Sequence, residues 1–191
     1  MAWEAFRAGS VPVGAVVTDP TGRIVSSGRN RRCERVAPSG QIAGTALAHA
    51  EFNALAQLRP GGYPDHVLTT TLEPCLLCTS AITHSHVGTV RYAAGDDLCA
   101  GLRDLPEINE HAKRRWPAWN GPMPGPMADL SKLLVTIWHM EHRPGHVWLQ
   151  GATLHTPDEL GAASTAVATL AERSFPDALS ALSGHVPRPL G

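Results

Sequence analysis

The sequence is short of several features, and each shortage excludes a class of protein. Four cysteines in 191 residues are too few for the disulfide framework of a small secreted domain, so a reducing cytoplasm is expected. The 16 basic and 17 acidic residues leave a formal net charge of −1, without the basic excess of a dedicated nucleic-acid binder. The apolar runs fall far short of the roughly 20 residues that a membrane span needs, and the N-terminal residues lack the apolar core of a signal peptide.

What remains is an ordinary globular composition, 43% hydrophobic and 17% charged, in a chain long enough for a full hydrophobic core. Short β-branched runs predict four strands, over Val13–Thr18, Arg23–Ser27, Val67–Leu72 and Gly88–Ala94. Helical spacing predicts two core helices, over Ala48–Leu58 and Cys75–Ser85. Such alternation of strands and helices is typical of an α/β sandwich with crossover connections.

The second half of the chain has a weaker pattern. Helices are predicted over Leu105–Arg115, Met127–Met140 and Pro157–Arg173, and a short strand over Val147–Leu149. The intervening stretch 116–127 is rich in proline and glycine and is predicted to be irregular. The last residues, 184–191, are predicted to be frayed.

Two short motifs in the first half carry most of the chemical information. His49 and Glu51 form an H-x-E motif at the start of the first core helix, and Pro74, Cys75 and Cys78 form a P-C-x-x-C motif at the start of the second. If the two helices lie side by side on the sheet, the imidazole and the two thiolates converge. Three such ligands on Zn²⁺ leave the fourth tetrahedral position for water, so the motifs predict a catalytic zinc site at His49, Cys75 and Cys78.

Glu51 is predicted to be the proton-transfer group of this site. Residues i and i+2 of a helix do not share a face, so His49 and Glu51 both point inward only at the first turn, where the carboxylate lies beside the metal without binding it. There it takes a proton from the attacking water and passes it to a leaving amine. Both motifs, in this order, are the signature of zinc deaminases, and the predicted reaction is hydrolytic deamination.

A closed structural zinc site is the alternative interpretation of the same motifs. It requires a fourth Cys or His ligand, for which Cys33 and Cys99 are the candidates, and it leaves Glu51 without a role. Beside the ligands, Glu73 is predicted to cap the second core helix by accepting hydrogen bonds from its first N–H groups.

Residues 11–97 resemble the cytidine deaminase superfamily, and within it the branch of tRNA adenosine deaminases, guanine deaminases and related nucleobase deaminases. The resemblance is carried, in family order, by the segments Val11–Val17, Gly28–Arg31, Ala48–Glu51, Thr71–Cys78 and Ala81–Gly88. It implies a three-layer α/β/α sandwich with a mixed five-stranded sheet, zinc held by His49, Cys75 and Cys78, and Glu51 as the proton shuttle. It further implies a homodimer, a base contact from Asn30, and a pocket lined by the backbone at Ala50 and Pro74.

From motif and resemblance together we expect residues 1–97 to form the zinc deaminase core, and residues 98–191 a mostly helical extension that completes the same domain. The expected substrate is a free nucleobase or nucleoside, with a purine favoured by the branch. A tRNA adenosine (A-to-I) deaminase is the first alternative, although the chain lacks the basic C-terminal helix by which the bacterial tRNA enzyme holds its anticodon loop. A catalytically silent binding module is the second.

Two side-chain clusters have more than one interpretation. The basic cluster, Lys113, Arg114 and Arg115 next to Trp116, is the best candidate for a nucleic-acid contact, but the net charge favours a solvated face. The histidine cluster either covers the mouth of the pocket or, as we favour, lies on a partly exposed helix face. Its members are His139, His142 and His146.

Overall fold

A computed structural model describes residues 1–151, 157–170 and 172–182 of the chain. A five-stranded sheet lies at its centre, in the order β2-β1-β3-β4-β5. β1 is antiparallel to β2 and β3, and β4 is parallel to β3 and β5. The strands are β1 (Gly14–Thr18), β2 (Ile24–Arg29), β3 (Tyr63–Leu72), β4 (Val87–Ala94) and β5 (Ala118–Asn120).

Helices flank this sheet. They are α1 (Ala2–Arg7), α2 (Ala50–Leu55), α3 (Leu76–Ser85), α4 (Leu105–Ile108), α5 (Glu110–Arg115), α6 (Pro126–His142), α7 (Trp148–Gly151), α8 (Pro157–Leu170) and α9 (Phe175–Leu182). The four strands and two core helices predicted from the first half are all present, with α2 shorter than predicted. No helix among the described residues combines the length and the apolarity that crossing a membrane requires.

The two faces of the sheet are covered by different helices, and two glycines mark them. Ala15 pairs with Gly28, so Gly28 and Gly14 point to opposite faces, because neighbouring residues of a strand alternate. A Cβ on Gly28 would meet the backbone of α2, whereas a Cβ on Gly14 would meet Met1 and Ala2 at the start of α1. The layers are therefore α2 and α3, then the sheet, then α1 with α6, and the predicted α/β/α fold is confirmed.

Helix α6 joins the second half of the chain to the sheet. Val135 belongs to the core cluster that also contains Val17, Leu68 and Val90 of the strands, and α6 packs across β3 and β4. The other side of α6 forms a second cluster with α1, α8 and α9, built around Trp3, Leu130, Leu133, Leu134, Ile137, Ala163, Val167 and Ala178. Helix α6, which the apolar spacing predicted, thus buries apolar side chains on two of its sides.

Three predictions for the second half were wrong in detail. The single helix over Leu105–Arg115 is broken at Asn109, whose extended backbone and side-chain bond to the Ala112 N–H, 2.9 Å, start a new helix. The irregular stretch contains β5. Trp148 and Leu149 of the predicted strand Val147–Leu149 instead begin α7, where the N–H groups of Leu149 and Gln150 bond to the carbonyls of His146 and Val147, both at 3.0 Å. The frayed residues 184–191 lie outside the described residues.

Candidate metal centre and pocket

The predicted metal ligands lie together where two helices begin. His49 is the N-cap of α2 and Cys75 the N-cap of α3, both with extended backbone. His49 Nδ1 lies 3.5 Å from Cys75 Sγ and 3.6 Å from Cys78 Sγ. All three ligand atoms lie within 4.8 Å of one another, and among the described residues no other His, Cys, Asp and Glu side chains form such a group.

Close packing of β2 on α2 holds the first of these helix starts in place. A Cβ on Gly28 would lie 2.3 Å from the carbonyl oxygen of Ala50 and 2.5 Å from the amide nitrogen of Ala54, so only glycine permits this approach. Asn53, fully buried one turn along, ties α2 to the loop before it. Its amide donates to the carbonyls of Arg29 and Ile42, both at 3.1 Å, and accepts the Ile42 N–H at 2.8 Å.

Glu51 is buried beside the ligands, only 3% exposed. Its Oε1 accepts a hydrogen bond from Thr70 Oγ1 at 2.8 Å, and its Oε2 lies 3.3 Å from Cys78 Sγ. Removal of the carboxylate from water raises the pKa of Glu51 above its ordinary value. A carboxyl group with a raised pKa, held against the metal ligands, is suited to taking up and releasing a proton.

The pKa values of the two thiols shift in opposite directions, because deprotonation of one thiol disfavours deprotonation of the other. Hydrogen bonds from Cys78 and then from His49 lower the pKa of Cys75 to about 4. The interaction with Cys75, followed by burial, raises the pKa of Cys78. The Cys75 interaction also raises the pKa of His49. A divalent metal relieves this competition, since it binds both thiols as thiolates and the imidazole in its neutral form.

The donor set fits a catalytic zinc ion. One imidazole and two thiolates are ligands that Zn²⁺ prefers, and three protein ligands leave one position open. Cys33 is exposed and Cys99 is buried elsewhere, and neither belongs to the ligand group. The closed structural site that required one of them as a fourth ligand is therefore not the arrangement found.

His49, Cys75 and Glu51 form the floor of a cavity of about 140 Å³, and Cys78 lies fully buried behind them. Asn30 lines it and is 3% exposed, and its Oδ1 accepts the N–H of Arg32 at 3.1 Å, which leaves the base contact of Asn30 a prediction. Ala50 and Pro74 are buried behind the ligands and do not line the cavity. Ala50 packs in the core beneath Gly28, and the Pro74 carbonyl accepts a hydrogen bond from Thr79 Oγ1, so their contact with substrate also stays a prediction.

Helix α6 and the turn after it form the outer wall of the cavity, which corresponds to the less favoured of the two interpretations of the histidine cluster. His139, Arg143, His146 and Trp148 all line it. The His139 ring stacks between those of His146 and Trp148, at centroid distances of 4.2 and 5.9 Å. The interpretation of the histidine cluster as a partly exposed helix face is wrong for His139, which is 8% exposed, whereas His142 is exposed and stacks on Trp138.

His139 is held neutral in this wall. Burial, followed by the electrostatic interactions with His146, Arg143 and Arg32, lowers the pKa of His139 to about 4. Its Nδ1 is buried without a hydrogen-bond partner. A neutral imidazole with an unpaired nitrogen is an unusual group to leave beside a cavity, because buried polar atoms normally have partners.

Glu73 has a different role from the one predicted. The start of α3 has no side-chain cap, so the capping prediction was wrong. Glu73 instead accepts the N–H of Asp96 at 3.2 Å and pairs with Arg103 at 3.0 Å. Arg103 in turn lies over the ring of Trp119, 4.5 Å from its centroid. Because Glu73 follows β3 and Asp96 follows β4, this network joins the ends of two parallel strands at the cavity.

The basic cluster lies away from the cavity, on the exposed surface of α5. Lys113 and Arg114 each lie 3.9 Å from the carboxylate of Glu110, and Arg115 donates to the carbonyl of His84 at 3.2 Å. None of the three lines the cavity above the ligands. Within the described part of the chain, Glu110 is the one carboxylate paired with this cluster, so the cluster keeps a net positive charge on an exposed surface that is separate from the cavity.

The family of this region follows from comparison with known proteins. Residues 1–94 match the model of the cytidine and deoxycytidylate deaminase zinc-binding region. This part of the chain belongs to that family. The predicted superfamily and the predicted zinc cofactor are thereby confirmed, whereas residues 95–191 lie outside the match.

Curated relatives share the same part of the chain. The tRNA-specific adenosine deaminase of Rickettsia bellii is 34% identical over 97 residues, 48% of this chain and 61% of that protein. That of Haemophilus influenzae is 32% identical over 100 residues, 50% of this chain and 53% of that protein. The tRNA(Ile)-lysidine synthase of Deinococcus radiodurans is 34% identical over 112 residues, 56% of this chain but 18% of that protein. The chain thus spans less than two thirds of each.

Solved structures confirm the fold. A structure from a study of A-to-I editing by tRNA deaminases at the wobble position has a TM-score of 0.51 at 26% identity, over 62% of this chain and 88% of the other. The structure of NE0047 with 2,6-diaminopurine has a TM-score of 0.53 at 21% identity, over 74% of this chain and 77% of the other. At 21% identity, the similarity to NE0047 supports the fold alone.

Proposed function

We propose that this protein is a zinc-dependent hydrolytic deaminase that converts an exocyclic amine of a nucleobase to a carbonyl and releases ammonia. One observation carries the proposal. A buried carboxylate, Glu51, lies 3.3 Å from Cys78 Sγ, next to three convergent metal ligands, and it lines a small cavity together with two of them, His49 and Cys75. A structural metal site has no use for that carboxylate, whereas hydrolysis needs a group that moves protons.

The chemistry divides between the metal and the chain. When bound at His49, Cys75 and Cys78, zinc lowers the pKa of a water molecule toward neutrality. Glu51 takes a proton from the attacking water and delivers it to the amine that leaves. Thr70, which donates to Glu51 Oε1, fixes the carboxylate so that Oε2 faces the ligands. The cavity walls exclude bulk water and hold the base against the floor.

A free nucleobase or nucleoside is the proposed substrate. The cavity of about 140 Å³ is below the roughly 300–1,000 Å³ of sites for drug-sized ligands, which suits a single heterocycle. A purine is favoured because the relatives that match at 32–34% identity are named adenosine deaminases. The net charge of −1, and the position of the basic cluster away from the cavity, favour a small molecule over tRNA.

A tRNA adenosine deaminase is the second candidate, and the names of the curated relatives favour it. Such an enzyme acts on a base turned out of its strand, which also needs a cavity for one base only. Binding to tRNA that weakens steeply with added salt, together with ammonia release from tRNA alone, would decide for this candidate.

An ammonia-release assay tests the proposal. Zinc-loaded protein is incubated with adenine, guanine, their nucleosides and tRNA, and the Glu51→Gln variant is measured in parallel. We expect turnover of at least one purine substrate and a loss on the order of 100-fold or more in Glu51→Gln, with zinc content and fold unchanged. Bound zinc without ammonia from any substrate would reject the deaminase and leave the catalytically silent binding module.

The proposal includes a homodimer in a reducing compartment such as the cytoplasm. All four cysteines are free, as thiolate ligands require.

The proposed dimer face is a second, larger cavity of about 630 Å³ between α3 and the α4–α5 pair. Its lining includes Leu55, Leu76, Ala112 and Trp116, and Leu76 is 55% exposed there. Light scattering on wild type and Leu76→Glu tests the dimer, which the charged variant should weaken if this face is the interface.

A further inference from the structure

We propose that Arg32 and Arg143 form an anion subsite at the mouth of the cavity, which binds a phosphate group attached to the nucleoside whose base occupies the floor. This inference rests on the proposed function and deepens it, because it names the phosphorylated nucleoside as the preferred substrate. Of the two arginines, Arg143 lies outside the family match and Arg32 lies within it.

The two arginines reach the same cavity from different parts of the fold. The N–H of Arg32 bonds to Asn30 Oδ1 at 3.1 Å, which fixes the backbone of Arg32 two residues after Asn30, a polar residue of the same lining. The N–H of Arg143 bonds to the carbonyl of His139 at 2.7 Å, which places Arg143 at the end of α6, one turn after the buried imidazole. Both line the cavity.

Neither guanidinium is paired within the described residues. No ion pair or side-chain hydrogen bond there involves either group, whereas Arg29 and Arg31 both bind Glu34, and Arg103 binds Glu73. The carboxylates of the same wall are already engaged. Glu51 accepts from Thr70, Glu73 pairs with Arg103, and Asp96 accepts the Leu98 N–H at 2.9 Å. Among the described residues, the lining therefore holds two guanidinium groups without an anionic partner, Arg32 and Arg143, near Asp96, whose backbone hydrogen bond leaves its charge unneutralised.

The lining side chains become more exposed from the floor of the cavity to its mouth, and this arrangement fits a nucleotide. The floor holds buried groups for chemistry on a base, Arg32 is half-buried, and Arg143 is exposed at the rim. His139 also lines the cavity as a neutral ring, but its Nδ1 is buried and is not presented to a ligand. Guanidinium groups bind phosphate oxygens through two parallel N–H donors, which makes arginine the usual residue at such sites.

Matched substrates and matched variants test the subsite. The value of kcat/KM for adenosine and guanosine is compared with that for their 5′-monophosphates, in wild type, Arg32→Gln, Arg143→Gln and Arg143→Lys. We expect the monophosphates to be preferred about tenfold or more, the glutamine variants to lose most of that preference, and Arg143→Lys to keep part of it. Arg35→Gln is the control, because Arg35 is exposed and does not line the cavity.

A tRNA transcript in the same assay identifies the source of the phosphate. If the arginine variants lose kcat/KM only with the monophosphates, the subsite serves free nucleotides. If they lose it only with tRNA, the subsite serves the RNA backbone. Equal relative losses of kcat/KM with nucleosides and with both phosphorylated substrates would overturn the proposed subsite, and so would no loss with any of them. Neither result would contradict the proposed deaminase.

A binding measurement separates failure of the subsite from failure of the proposed function. Calorimetry of zinc-loaded Glu51→Gln with adenosine 5′-monophosphate and with inorganic phosphate requires no turnover. Affinity that falls about tenfold on adding Arg143→Gln supports the subsite even if no substrate is deaminated. Affinity that is unchanged by both arginine substitutions rejects it even if the enzyme is active.

Discussion

At the scale of single residues, the chemistry depends on side chains that are far apart in sequence and adjacent in space. His49 and Cys75 begin two different helices, and Cys78 follows one turn into the second. Their motifs made them predictable, because a metal restricts both the residue types and the spacing that can bind it. Arg143 and His139 were not assigned to the pocket, since no local pattern indicates which helix face a distant cavity will meet.

Loss of one thiol should remove the metal. Cys78→Ser replaces a thiolate with a poor zinc ligand and leaves only two protein donors, so we expect zinc content to fall from one ion per chain to near zero after dialysis. Elemental analysis measures this directly. Cys33→Ser is the matched control, because Cys33 is exposed and outside the ligand group, and it should retain its zinc. Full zinc occupancy in Cys78→Ser would refute its role as a ligand.

His139 should make stability depend on pH. Burial, followed by the electrostatic interactions with His146, Arg143 and Arg32, lowers its folded-state pKa to about 4, below the ordinary value of 6.5. Between these two values the unfolded chain binds the additional proton, so the stability contributed by a neutral His139 is complete above pH 6.5 and is lost as the pH falls toward 4. His139→Gln should flatten this dependence.

Urea denaturation at pH 4.5, 5.5 and 6.5 checks the prediction. The decrease in the urea midpoint on acidification should be smaller in His139→Gln than in wild type. His111→Gln, at an exposed position on α5, should follow the wild-type dependence. Parallel pH curves for wild type and His139→Gln would contradict a buried neutral imidazole.

At the scale of elements, the contact between β2 and α2 controls where His49 lies. A Cβ at position 28 would lie 2.3 Å from a backbone carbonyl that cannot rotate away, so Gly28→Ala must move α2 or β2. We expect a loss of about 1–3 kcal/mol in the free energy of unfolding, together with weaker zinc binding. Gly61→Ala is the control: position 61 has open space around a Cβ, and the change should be within about 0.5 kcal/mol.

Denaturant unfolding and a zinc competition assay measure the two effects. An alanine at position 28 that altered neither quantity would show that the helix start is not held by this contact. The sequence indicated a strand there, but the need for glycine depends on a helix that arrives more than 20 positions later in the chain. Local pattern therefore predicted both elements and missed the contact between them.

The same limit explains the errors in the second half. The break at Asn109 depends on one side-chain hydrogen bond, and Trp148, within the predicted strand Val147–Leu149, is buried with its indole bonded to Thr136 of α6. β5 contains only three residues and pairs with β4, whose position no local signal in 118–120 reveals. Long elements such as α6 were predicted well because their apolar spacing repeats over several turns.

At the scale of the whole molecule, the division into a core of residues 1–97 and a completing extension stays a prediction. Its support is that α6 packs across β3 and β4 while β5 extends the sheet. We expect a chain ending at residue 97 to expose the apolar face that Val135 and its neighbours cover, and to lack a cooperative unfolding transition. Calorimetry and ¹H–¹⁵N spectra of the two chains check this; a native-like spectrum of the shorter chain would contradict it.

The outer wall of the cavity has a consequence for how such enzymes diversify. The groups that we propose to activate water come from the first half of the chain, whereas His139, Arg143 and Trp148 come from a helix and turn beyond the family match. We expect substitutions on that helix to change which compound is accepted while the proposed reaction centre stays intact. Grafting the segment onto a relative with the same floor is therefore a direct route to transferring selectivity without rebuilding catalysis.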